Sequence, residues 1–109
     1  MGVLFFNPVN ASNSWELLVK KADSLSTSNF SKSVAFCDSI LSNINSKESW
    51  KGVFTSIRGK AHYFKGNYDL AAKDYNEAVQ ILQKGNFQRE LGAVFIDQAK
   101  LYRKIKMFP

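Results

Sequence analysis

The chain has 109 residues, the length of one domain with nothing spare for a second. It is 45% hydrophobic and 14% aromatic with only 2 Pro and 6 Gly, which supports a packed core and excludes a disordered or collagen-like polymer. Its 15 Lys and Arg against 9 Asp and Glu leave +6, and residues 1–45 carry three of each sign, so the excess lies in the C-terminal 64 residues, where an acidic partner is expected.

The chain opens on Val3-Leu4-Phe5-Phe6, too short for a membrane span or signal peptide and preceded by no Lys or Arg. Phe6 stands where a myristoylation motif needs Ser or Thr. The run is expected to fold back over the first helices, within an extended lead-in of residues 1–13. A helix is then expected from Asn13, with Glu16 three residues on as in a capping box, and apolar positions Trp15, Leu18, Val19, Ala22 and Leu25. A second reads Phe30, Val34, Cys37, Ile40 and Leu41. A third starts near Lys47 and runs through Trp50, Val53, Phe54, Ile57, Ala61 and Phe64 to Gly66-Asn67. A fourth reads Tyr68, Ala71, Ala72, Tyr75, Ala78, Val79 and Leu82, ended by Gly85-Asn86. A fifth reads Leu91, Val94, Phe95, Ala99, Tyr102 and Ile105. No strand alternation competes, so the expected fold is all-α with about five helices.

The stretch from Gly59 to Ala78 resembles a tetratricopeptide repeat (TPR). The family's 34-residue unit asks for small residues where this chain has Gly59, Ala71 and Ala78, and for aromatics where it has His62, Tyr68 and Tyr75. Small residues let two antiparallel helices approach closely, and the aromatics fill the space to the next pair. The resemblance divides the chain into a degenerate repeat over 14–45, the best match over 46–85 and the first helix of an incomplete repeat, or a capping helix, over 86–109. Upstream, Lys21 and Ser33 stand where the family prefers small residues; downstream, Ala99, Tyr102 and Phe108 fit. Lys21 lies 38 residues before Gly59. The implied fold is a short α-solenoid of stacked antiparallel helix pairs.

The resemblance also implies a concave groove lined by the first helix of each pair. It places Trp15, Leu18, Ala22, Leu25 and Ser26 there from the first repeat. The second contributes Val53, Ser56, Lys60, Tyr63 and Phe64, and the third Ala93, Ile96, Lys100, Arg103 and Lys104. Such a groove is apolar at one end and basic at the other, and Lys60, Tyr63, Phe64, Ile96, Lys100, Arg103 and Lys104 are the expected partner-binding residues. The carboxylate clamp by which some relatives hold chaperone tails is not expected. Leu18, Ala22, Ile57, Ala93 and Asp97 occupy its positions, and Asp97 would repel a carboxylate.

Catalytic signals are weak. Cys37 and His62, each the only one of its kind, read as packing residues of different repeats rather than a nucleophile–base pair. No metal, phosphate-loop or nucleophile-elbow motif occurs, so no cofactor, metal or enzymatic activity is expected. A lone thiol points to a reducing compartment: the cytoplasm first, with nucleus and organelle interiors as alternatives. The expected function is a non-enzymatic adaptor or scaffold subunit that binds another protein, an acidic segment among the candidates, in the groove. Its last helix, left without a pair partner, would take another protein or a second copy. A nucleic-acid-associated repeat using the basic C-terminal half is the alternative, and no membrane partner is expected.

Overall fold

The computed structural model describes residues 8–45 and 48–107, and within them every regular element is an α-helix. These are α1 (Pro8–Ser28), α2 (Phe30–Leu41), α3 (Trp50–Lys65), α4 (Tyr68–Lys84) and α5 (Gln88–Met107). Among the described residues, no helix is long and apolar enough to cross a membrane. The Val3–Phe6 run, Lys47 and Phe108 lie outside the described residues. The first helix differs from expectation: it begins at Pro8, not near Asn13, so the lead-in is shorter than 1–13. Proline suits a helix's first turn because its fixed φ is already helical and its missing N–H would have no partner there.

The helix ends follow local chemistry. Asn29 caps α2, its side chain accepting a hydrogen bond from the Lys32 N–H at 3.1 Å. Gly66 ends α3 at φ 91°, the left-handed region, and the Asn67 N–H bonds back to the His62 carbonyl at 2.8 Å.

Consecutive helices pack as antiparallel pairs, and α3 touches all four others, the arrangement of a short helical solenoid. The contact of α3 with α4 is close because glycines face it. A Cβ on Gly59 would fall 2.9 Å from the Tyr75 ring, and one on Gly52 2.8 Å from the Leu82 side chain. Ala71 and Ala78 are fully buried, as their spacing predicts, with Tyr75 between them. Gly52 is a second close approach that the apolar periodicity does not reveal.

The α1–α2 turn is one residue shorter than the α3–α4 turn. Only Asn29 separates the first two helices, whereas Gly66 and Asn67 separate the second two. Asn29-Phe30 therefore corresponds to Asn67-Tyr68, and Gly66 has no counterpart. Without it, α1 sits one residue out of the expected register, and the buried small residue on its inner face is Ala22, not Lys21. Lys21 is exposed and lies over the Phe36 ring, 4.9 Å from its centroid. Ser33, nominally a departure from the family's pattern, is buried and satisfied: its Oγ donates to the Ala22 carbonyl at 2.9 Å across the α1–α2 contact.

An aromatic layer ties the N-terminal ends of α1 and α3 to the α4–α5 turn. Trp15 stacks on Trp50 with centroids 6.2 Å apart, and Phe87 meets Trp50 edge-on at 5.0 Å.

Candidate functional site

Helices α1, α3 and α5 lie side by side and leave a groove along α3. It has two compartments that share Lys60 and Asp97. The larger, about 250 Å³, is floored by Val19, Val53, Ile57 and Val94, with Asp23, Ser56, Glu90 and Ala93 on its walls. The smaller, about 120 Å³, is bounded by Thr27, Tyr63, Phe64, Tyr75 and Lys100. At the waist between them, Lys60 Nζ pairs with Asp23 Oδ1 at 2.5 Å, joining α3 to α1.

Of the expected binding residues, Lys60, Tyr63, Phe64 and Lys100 line the groove. Ile96, 59% exposed, Arg103 and Lys104 do not line it: Ile96 and Arg103 stand on an exposed face of α5, and Lys104 lies one turn past Lys100, beyond the lining residues. The α1 contribution also differs. Ala22 and Ser26 are fully buried and do not line either compartment. Val19, Asp23 and Thr27 do so instead, opposite Ser56, Lys60 and Phe64, each 37 residues further on. The shorter α1–α2 turn accounts for that one-residue shift.

The charge of the groove differs as well. A basic C-terminal end was expected, yet the lining holds three carboxylates, Asp23, Glu90 and Asp97, against two ammonium groups, Lys60 and Lys100. Asp97 makes no hydrogen bond or ion pair among the described residues. Burial raises its pKa above the usual carboxylate value, against the pull of Lys60 and Lys100, and Asp23 adds to the rise. Burial likewise pushes the Tyr75 phenol up, with Asp97 the next cause. Glu90, Ala93, Asp97 and Lys100 share one stripe of α5 at helical spacing, a signal present in the sequence. The expected lining held Ala93 and Lys100 of that stripe but left out its two carboxylates, Glu90 and Asp97, and took in Ile96 and Arg103 from the adjoining face.

Elsewhere the reactive side chains are quiet. Cys37 is fully buried, and burial pushes its thiol up to about 12, so thiolate is scarce at neutral pH. His62 faces Asp74, with Nε2 3.9 Å from Oδ2, and no hydrogen bond joins it to Cys37 among the described residues. Among the described residues, no group of three His, Cys, Asp or Glu side chains converges to hold a metal ion. On α5, Val94 and Leu101 are buried, while Phe95, Tyr102 and Ile105 are 46%, 51% and 42% exposed along the adjoining flank.

Comparison with protein-family models, with curated proteins and with solved structures finds no match to this chain.

Proposed function

We propose that the chain is a TPR-like, non-enzymatic protein-interaction module, an intracellular adaptor or small subunit of a larger assembly, that takes a segment of another protein in the groove between α1, α3 and α5. The observation that carries this reading is the groove itself. It has two adjoining compartments, with an apolar floor of Val19, Val53, Ile57 and Val94, an aromatic end at Tyr63 and Phe64, and a polar waist at Lys60 and Asp97. Apolar compartments with a few placed polar groups are what a peptide side chain needs for affinity and register. The exposed Phe95–Tyr102–Ile105 flank of α5 offers a second contact area within the same assembly. The polyanion alternative has less support. One groove lysine is held by Asp23, and Asp97 and Glu90 share the wall with the other.

The test is site-directed photo-crosslinking in cells, with the reactive group at Thr27 in one chain and at Leu17 in another. Leu17 is 66% exposed and does not line the groove. The expected result is a discrete crosslinked protein from position 27 that is absent from position 17 and lost in Tyr63→Ala. Equal labelling from both positions, or a nucleic-acid adduct at 27, would overturn the reading.

A further inference from the structure

We propose that the groove selects a segment carrying a basic side chain between apolar ones, with Asp97 as the counter-ion for that side chain. This rests on the groove reading above and specifies its occupant, reversing the acidic partner that net charge alone suggests.

The argument begins with which groove charges are already answered. Lys60 and Asp23 answer one another at 2.5 Å. Lys100 is exposed and solvated at the rim. Asp97 and Glu90 remain: both are half-buried, and neither has a hydrogen bond or ion pair among the described residues. They stand seven residues apart on one wall of α5, about 10.5 Å along the axis at 1.5 Å per residue. Opposite them, Val19, Val53 and Ile57 offer no proton and no charge, Ser56 donates its hydroxyl to the Val53 carbonyl, and Lys60 is the cation already held by Asp23.

An incoming ammonium or guanidinium supplies what this wall lacks. Its alkyl stem can lie on the valine–isoleucine floor while its head reaches Asp97, and the Tyr63 ring next along the groove offers a face to a cation. A carboxylate-bearing segment would meet Asp97 and Glu90 with like charge in a partly desolvated channel, which disfavours it. The free chain shows the same imbalance, since burial opposes the ionised form of Asp97. An Asn at that position would keep the shape without that penalty, so the carboxylate lowers stability where it can serve recognition.

The experiment displays random twelve-residue peptides to the full chain and titrates labelled winners. The expected winners carry Lys or Arg flanked by apolar residues, and Asp97→Asn weakens them by about tenfold or more while leaving the circular dichroism and melting of the free chain unchanged or improved. A charge-reversed pair, Asp97→Lys with Glu in place of the peptide's basic residue, is expected to restore binding. Ser56→Tyr separates this inference from the groove reading, because it fills the channel whatever the peptide's charge. Acidic winners blocked by Ser56→Tyr, or basic winners indifferent to Asp97→Asn, would overturn the inference and leave the groove reading standing. Winners indifferent to Ser56→Tyr, or no winners at all, would overturn both.

Discussion

Arg58 of α3 grips Asp74 of α4 with two parallel bonds, Nε to Oδ2 at 2.9 Å and Nη2 to Oδ1 at 2.8 Å, and the same guanidinium reaches Asp38 of α2 through Nη1 at 2.8 Å. One side chain thus fixes three helices on the side of α3 away from the groove. The flat, forked guanidinium makes this possible, since a lysine could not hold both carboxylates in one geometry. The bond to Asp38 joins the α1–α2 pair to the α3–α4 pair on this side, as the Lys60–Asp23 pair does on the groove side.

Removing the guanidinium is therefore expected to be expensive. Asp74 is only 4% exposed, so Arg58→Leu leaves a buried charge without its partner and should destabilise the fold by about 3 kcal/mol. Asp38 is 55% exposed, and Asp38→Ala should change stability by less than about 1 kcal/mol. Urea denaturation of the two variants checks the ordering, and equal effects would show that the α3–α4 bond is not the dominant one.

Packing between α3 and α4 gives a second expectation. A Cβ on Gly59 would stand 2.9 Å from two ring carbons of Tyr75, which is itself almost completely buried and cannot move aside. Gly59→Ala and Ala78→Leu should each destabilise by roughly 1–3 kcal/mol through overpacking, although alanine is intrinsically the better helix former. A rise in melting temperature for Gly59→Ala would show that the two helices can separate freely.

The pH dependence of stability should carry a histidine component. Burial lowers the His62 pKa from its ordinary 6.5, with Asp74 opposing and Arg58 assisting. The unfolded chain then binds the proton more readily, so this contribution is present above pH 6.5 and is lost as the pH falls through the lower folded value. Nδ1 of His62 is also buried without a hydrogen-bond partner among the described residues. His62→Phe removes both the proton site and the unsatisfied nitrogen, so it should flatten that part of the profile without lowering stability at neutral pH. Melting curves between pH 4.5 and 7.5 decide it, and an unchanged slope in the variant counts against the assignment.

Asp97 carries the opposite sign. Its folded pKa is raised, so the ionised carboxyl weakens the free fold at neutral pH and ceases to do so as the pH falls toward the ordinary carboxylate value. Asp97→Asn should melt higher than the parent at pH 7, with the difference shrinking under acid conditions. A lower melting point at pH 7 would mean that the lysines nearby stabilise Asp97 more than burial opposes it.

Much of this molecule follows from residue order alone. Helical spacing from Trp15 to Ile105 specifies five helices, and Gly66 and Gly85 mark the ends of α3 and α4 because helix capping is a local event set by a few neighbouring residues. Small residues at Ala71 and Ala78 announce a tight helix pair for the same reason. The direction of each face is another matter. A turn shortened by one residue, with no counterpart to Gly66, rotates Ala22 into the core and brings Asp23 and Thr27 to the groove, and only packing against α3 reveals which register is adopted. Net charge likewise counted every lysine alike, whereas the fold sets Lys60 against Asp23 and, among the described residues, leaves Asp97 without an ion pair beside an apolar floor. Charge is summed along a chain, but the field a partner meets depends on which charges are neighbours in space, and tertiary structure alone fixes that.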